Sequence, residues 1–239
     1  WDKIQVTGNV KFDIHPEAKE KSTSLAYRYK LWLMPLDKLW VCGSTHNQEE
    51  TLIFAAYKKL LPAFPGLKLL VAPRHPERSR RIASLAVHNG LLPVFISSLS
   101  ASCPSCINKP VFILDIIGEL FNYYSAADVV FVGGSMVKKG GHNILEPASL
   151  KKPVIFGPYM ENFKEIAQIV LENKAGIMVN NGQELYSTIK KIMSDEPLRQ
   201  AMGTTGKLII RQQQNVMNKT VDIILNITEG KNKKQEIKS

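Results

Sequence analysis

The sequence predicts a doubly wound, Rossmann-like α/β domain built on a parallel sheet, and three observations carry that prediction. Short β-branched and apolar runs recur along the chain. Longer amphipathic patterns separate them. The runs are apolar at consecutive positions, as strands covered on both faces must be, and parallel strands joined by helices are covered in that way.

The strands are expected at Leu39–Gly43, Leu67–Ala72, Pro93–Ser97, Val111–Asp115, Val129–Gly133, Val154–Gly157 and Gly176–Val179. Helical patterns begin near Glu49, Glu77, Gly118, Gly141, Asn162 and Gly182. Residues Ser98–Pro110 (SLSASCPSCINKP) carry no helical period and read as a loop between two strands. Beyond Glu196 the chain reads as helix only, with Leu208, Ile209, Val216, Val221, Ile224 and Leu225 offering a packing face. The expected division is a nucleotide-binding domain over 1–195, closing helices over 196–228 and a frayed, charged tail over 229–239.

Composition narrows the class. The chain has 239 residues and starts on Trp1, and it is read as a piece of a longer protein. It has no apolar run long enough to span a bilayer and no signal-peptide pattern. Three cysteines (Cys42, Cys103 and Cys106) suit a reducing compartment, and the expectation is a soluble, cytoplasmic fragment. A net charge of +10, from 31 Lys and Arg against 21 Asp and Glu, favours anionic partners without choosing among them. No aromatic-basic motif accompanies the charge, so no nucleic-acid partner is expected.

Ligands of doubly wound sheets bind beyond the carboxyl ends of the strands, so the loops there are the ones to read. After Val129–Gly133 comes GGSMVKKGGHNILEPASL. Its glycines allow close backbone approach, His142 or Asn143 can cap the next helix, and Glu146 falls on the first turn. Free N–H groups at a helix start suit a phosphate, and a carboxylate one turn on suits ribose hydroxyls. After Leu67–Ala72 comes PRHPER, where Arg74 offers a planar fork of donors to phosphate oxygens and His75 a proton near neutrality. After Leu39–Gly43, Ser44 or Thr45 is expected to cap a helix with Glu49 and Glu50 in its first turn, and His46 faces either the site or solvent. Gly118, after Val111–Asp115, is a weaker candidate for backbone contact with a flat ligand.

Other chemistries lack their signatures. There is no G-x-G-x-x-G after a strand and no P-loop. Cys103 and Cys106 have C-x-x-C spacing without a second pair or a histidine to complete a zinc site. No D-x-D occurs, and no metal or other cofactor is expected.

Taken together, TGNVKFD (Thr7–Asp13), GSTHNQEE (Gly43–Glu50), PRHPER (Pro73–Arg78), DIIGEL (Asp115–Leu120), ADVVFVGGS (Ala127–Ser135), GGHNILEPA (Gly140–Ala148) and FGPYMENF (Phe156–Phe163) resemble the Kdo transferases of lipopolysaccharide assembly. The resemblance runs from about Val6 to Leu225. It implies one half of a GT-B glycosyltransferase, which moves 3-deoxy-D-manno-octulosonate (Kdo) from CMP-Kdo to a lipid A precursor at the cytoplasmic face of the inner membrane. It implies CMP contacts at Pro73 and Arg74, at Ile117, Gly118 and Glu119, and at Asn143, Ile144, Leu145 and Glu146. Ser44, Thr45, His75, Gly134, Ser135, Gly141 and His142 are further candidates for phosphate or sugar. The catalytic base, the membrane attachment and most acceptor contacts would come from an N-terminal half. Asn47-Gln48 stand where the family often has Glu-Gly, and Lys138-Lys139 where it commonly has an acidic-basic pair. The donor half of a UDP-sugar enzyme, or a non-catalytic nucleotide-binding module, are the alternatives.

Overall fold

Period-two alternation along each strand explains how this chain builds a sheet with two buried faces. In a computed structural model that describes residues 4–13, 20–99 and 109–236, the strands are β1 (Lys38–Thr45), β2 (Leu67–Pro73), β3 (Leu92–Phe95), β4 (Pro110–Ile113), β5 (Val129–Val132), β6 (Val154–Phe156) and β7 (Gly176–Met178). All pairings are parallel, in the order β3-β4-β2-β1-β5-β6-β7. Leu39, Val41, Leu70, Val130 and Val132 enter the core on one face. Trp40, Cys42, Leu69, Val71, Val129 and Phe131 enter the core on the other. Successive side chains of a strand point to opposite faces, so apolar residues at every position fill two cores at once.

The helices are α1 (Glu20–Lys30), α2 (Glu49–Leu60), α3 (Ser79–His88), α4 (Leu120–Ala126), α5 (Leu145–Ser149), α6 (Lys164–Glu172), α7 (Gly182–Ser194), α8 (Glu196–Gln213) and α9 (Val216–Glu236). Helix α7 starts as its sequence indicates, with the Asn181 side chain accepting from the amides of Gln183 and Glu184. Asp195 caps α8 in the same manner through Leu198 N–H.

Several boundaries differ from expectation. The third strand ends at Phe95, and Ile96–Ser98 tighten into a 3-10 turn held by Asp115, which accepts from Ser97 N–H at 2.9 Å. The helix expected from Glu77 starts at Ser79, behind a 3-10 turn at Pro76–Arg78. Helix α1 has no counterpart among the expected helices. Its apolar stripe is narrow, with Tyr27 buried and Leu25 and Tyr29 exposed, and Leu31 is buried just beyond it. The tail expected to fray instead continues as α9 to Glu236. Ile209 and Val216 are buried as anticipated, whereas Leu208, Val221, Ile224 and Leu225 are about half exposed. That stripe is therefore only partly covered by the rest of this chain. Cys103, Cys106 and most of the loop expected at 98–110 lie outside the described residues. No described helix is long and apolar enough to cross a membrane.

The strand order changes direction between β1 and β5: from β1 the chain builds outward through β2, then returns to lay β5 on the other side. The loops leaving the carboxyl ends of β1 and β5 turn there toward opposite faces of the sheet, the switch point at which doubly wound sheets hold their ligand crevice.

Candidate functional site

The crevice is organised by a carboxylate. Ser44 adopts φ +54° at a register shift in β1, and Gln48 adopts φ +80° at the start of α2. Two left-handed residues in five fold the β1–α2 loop back on itself and turn the Glu49 side chain inward. Glu49 is buried and accepts the backbone N–H of His46 and Gly134, each at 2.8 Å, Met136 at 3.0 Å and Ser135 at 3.1 Å. Burial pushes its carboxyl up from the usual range, and the four amides oppose that shift. Gly133 has to be glycine, since a Cβ there would lie 2.6 Å from the Ser44 carbonyl oxygen and 2.8 Å from Glu49 Oε2.

This arrangement corrects several expectations. Neither Ser44 nor Thr45 caps α2. Thr45 is fully buried and uses its carbonyl to accept from Arg74 N–H (3.0 Å) and the Arg78 guanidinium (3.1 Å). The amides of Gly134 and Ser135 are already taken by Glu49, so they are not free phosphate donors. The Ser135 hydroxyl is buried too, donating to Val132 O and accepting from Gly157 N–H at 2.8 Å. Gly141 donates its N–H to Gly134 O at 2.9 Å, and a Cβ on it would meet Met160 Sδ at 2.4 Å. It closes the loop against Tyr159 and Met160, in the segment that follows β6.

Above this frame three histidines meet. His46 Nε2 lies 2.8 Å from His142 Nε2, with the rings nearly parallel (6°) and their centroids 5.1 Å apart. His75 stands edge-on to His46 at 6.0 Å. Gly134, at φ +66°, leaves room for them, since a Cβ would sit 2.9 Å from the His142 ring. Partial burial, together with His142, Arg78, His75 and Lys139, holds the His46 pKa down to about 4. Burial, with Arg74 and His75, lowers that of His142. Arg74, Arg78 and Lys139 stand near the His46 and His142 imidazoles, and the nearby carboxylates have neighbours of their own. Glu50 pairs with Arg78 at 3.0 Å, and Glu77 Oε1 lies 3.6 Å from His75 Nδ1. Arg74 is exposed at the end of β2, next to buried Pro73.

The other two loops line the same edge of the sheet. Asn143 accepts Leu145 N–H at 3.1 Å and donates to Glu146 Oε1 at 3.2 Å, fixing the carboxylate. Burial also pushes the Glu146 carboxyl up. The helix expected from Gly141 is only the five residues of α5, so its dipole is small. Ile144 and Leu145 are fully buried, which leaves only their backbone to meet a ligand. After β4, Ile117 is 86% exposed and Gly118 takes φ +90°. Glu119 is held by Tyr27 Oη and Asn122. Tyr27, whose pKa burial and Glu119 raise to about 12, comes from the unexpected helix α1. The sequence points to neither Tyr27 nor the Glu49 cluster, because both depend on contacts between distant segments.

Residues 107–208 match the family model for group 1 glycosyl transferases. Over 226 residues the chain is 33% identical to the 3-deoxy-D-manno-octulosonic acid transferase of Haemophilus influenzae, a match that takes in 93% of this chain and 51% of that protein. It is homologous to the 3-deoxy-D-manno-octulosonic acid transferases. The chain spans about half the length of the curated relatives it matches. The crystal structure of the C-terminal CMP-Kdo binding domain of WaaA from Acinetobacter baumannii superposes with a TM-score of 0.73 at 25% identity, over 81% of this chain and 99% of that one. Anabaena HepE, solved with UDP and glucose, shares the fold at 14% identity and a TM-score of 0.59, over 91% of this chain and 54% of that one. The seven-stranded domain is thus one lobe of the GT-B architecture, the Rossmann-like half that the sequence predicts.

Proposed function

We propose that this chain is the donor-binding half of a Kdo transferase, which carries Kdo from CMP-Kdo to a lipid A precursor on the cytoplasmic face of a bacterial inner membrane. The observation that carries this reading is the convergence of three loops, ending in Arg74, in Gly118 and Glu119, and in Asn143 and Glu146, at the carboxyl edge of a sheet homologous over its length to those enzymes. Arg74 suits the phosphate as a bidentate donor, and its exposure leaves it free to approach one. Glu146, fixed by Asn143, suits the ribose hydroxyls, and the backbone around Gly118 suits the base.

In the reaction an acceptor hydroxyl attacks the anomeric carbon of Kdo and CMP departs. A base in a second, N-terminal domain removes the hydroxyl proton. The Arg74 guanidinium stabilises charge that grows on the leaving phosphate. The leaving group is a monophosphate ester, so cationic side chains suffice for it and no metal is required. Calorimetric titration with CMP and with UDP, both in EDTA, tests the reading. CMP is expected to bind preferentially and more weakly to Arg74→Ala and Glu146→Ala. Preference for UDP, or CMP binding abolished by EDTA, overturns it.

A further inference from the structure

Two imidazoles at the β1/β5 crevice share a hydrogen bond to which the donor reading assigns no part. His46 Nε2 and His142 Nε2 are 2.8 Å apart. Two nitrogen lone pairs do not face each other at that distance, so one nitrogen carries a proton and the other accepts it. In the neutral pair the rings are therefore opposite tautomers. One presents Nδ1–H and the other a bare Nδ1 lone pair. Adding one proton converts that lone pair into a second N–H donor and leaves the bond between the rings intact.

The surroundings fit such a change. Arg78, His75 and Lys139 act on His46, and Arg74 and His75 act on His142. The carboxylates nearby have partners of their own. Glu49 is held by four amides, Glu50 by Arg78 and Glu146 by Asn143, and Glu77 lies 75% exposed beside His75. Both rings pack against Gly134, where a Cβ would come within 2.9 Å of His142 and 3.3 Å of His46. The pair is thus seated on backbone. Burial and neighbouring cations disfavour the protonated form of the pair, with His46 near pKa 4. An anion in contact reverses that balance, because an opposite charge favours the protonated imidazole.

We propose that His46 and His142 form a proton-linked anion subsite of the donor pocket: an anionic oxygen, from phosphate or from the sugar carboxylate, binds at Nδ1–H of the pair as one proton is taken up from solvent. The pair passes from two N–H groups to three and gains one positive charge, which the anion balances. This rests on the donor-binding reading above.

Titration calorimetry in buffers of different ionisation enthalpy counts the protons, at about pH 6, where imidazoles titrate. The probes are cytidine 5′-methyl phosphate, whose phosphodiester does not titrate near neutrality, and free Kdo, which carries only the carboxylate. One of the two is expected to bind with uptake of a large fraction of a proton, and which one does so identifies the anion. His142→Gln is expected to bind that probe about tenfold more weakly and with no buffer dependence. His88→Ala, at the exposed far end of α3, is expected to keep the wild-type slope. Buffer-independent enthalpy in the wild type with both probes overturns the subsite, as does an unchanged slope in His142→Gln. If CMP itself does not bind, the donor reading falls and the subsite with it. CMP binding without proton uptake from either probe overturns the subsite alone.

Discussion

Replacing Glu49 with alanine tests the claim that one carboxylate organises the crevice. Its oxygens accept four backbone N–H groups, from His46, Gly134, Met136 and Ser135, at 2.8 to 3.1 Å. Those from Gly134 and Ser135 are buried, so alanine leaves them without a protein partner. Each orphaned buried donor costs about 1–3 kcal/mol, and the two half-buried amides recover part of their loss from solvent. With some relaxation of the loop, the expected loss of stability is about 3–5 kcal/mol. In a chain of this size that lowers Tm by about 6–20 °C. Glu49→Gln should lose about 2–3 kcal/mol, since the amide keeps one acceptor oxygen but turns an NH2 toward two of the four donors. Urea unfolding followed by circular dichroism measures both. The matched control is Glu77→Ala, which removes a carboxylate with a side chain 75% exposed and should cost less than about 0.5 kcal/mol. A loss below about 1 kcal/mol for Glu49→Ala would refute the reasoning.

Three further outcomes follow from the same geometry. Arg78→Ala strands the Glu50 carboxylate, which is 2% exposed and pairs with Arg78 at 3.0 Å; the expected loss is about 3–5 kcal/mol in chemical unfolding, partly recovered by Glu50→Gln in the same background. Gly43→Ala places a Cβ 1.9 Å from Tyr124 Oη and 2.6 Å from Cζ, and should destabilise by about 1–3 kcal/mol, with Tyr124→Phe relieving part of the cost. His46 has a pKa of about 4 in the folded chain against an ordinary value of 6.5, so the unfolded chain binds its proton more readily. The stability tied to this group is full above about pH 6.5 and is lost as pH falls toward 4. Allowing for solvent screening, the loss is about 1–2 kcal/mol, and His46→Gln should flatten that part of the stability–pH curve in urea titrations.

The sheet was legible because its signal is local. Consecutive apolar residues in Val129–Val132 can be buried only if both faces are covered, and a strand with two covered faces points to parallel pairing. Arg74 and Glu146 were expected at the carboxyl edge of the sheet for a related reason, and the strand order puts their loops there; Gly118 was the weaker candidate until the resemblance was added. The sequence by itself therefore determined the fold class and the edge of the sheet on which these loops lie.

Tertiary structure alone decided what the residues between those loops do. Glu49 reads in sequence as an ordinary first-turn acid, and it becomes the anchor of the crevice only because β5 delivers the amides of Gly134, Ser135 and Met136 to it from more than 80 residues away. Gly141 and Ser135 read as ligand contacts, and their polar groups are instead consumed by Gly134 O, Val132 O and Gly157 N–H. His46 was ambiguous between site and solvent until the switch in strand order set it 2.8 Å from His142. A periodic pattern reports which side of an element is buried. It does not report which distant donor meets which acceptor, because that depends on register and on the left-handed turns at Ser44 and Gln48.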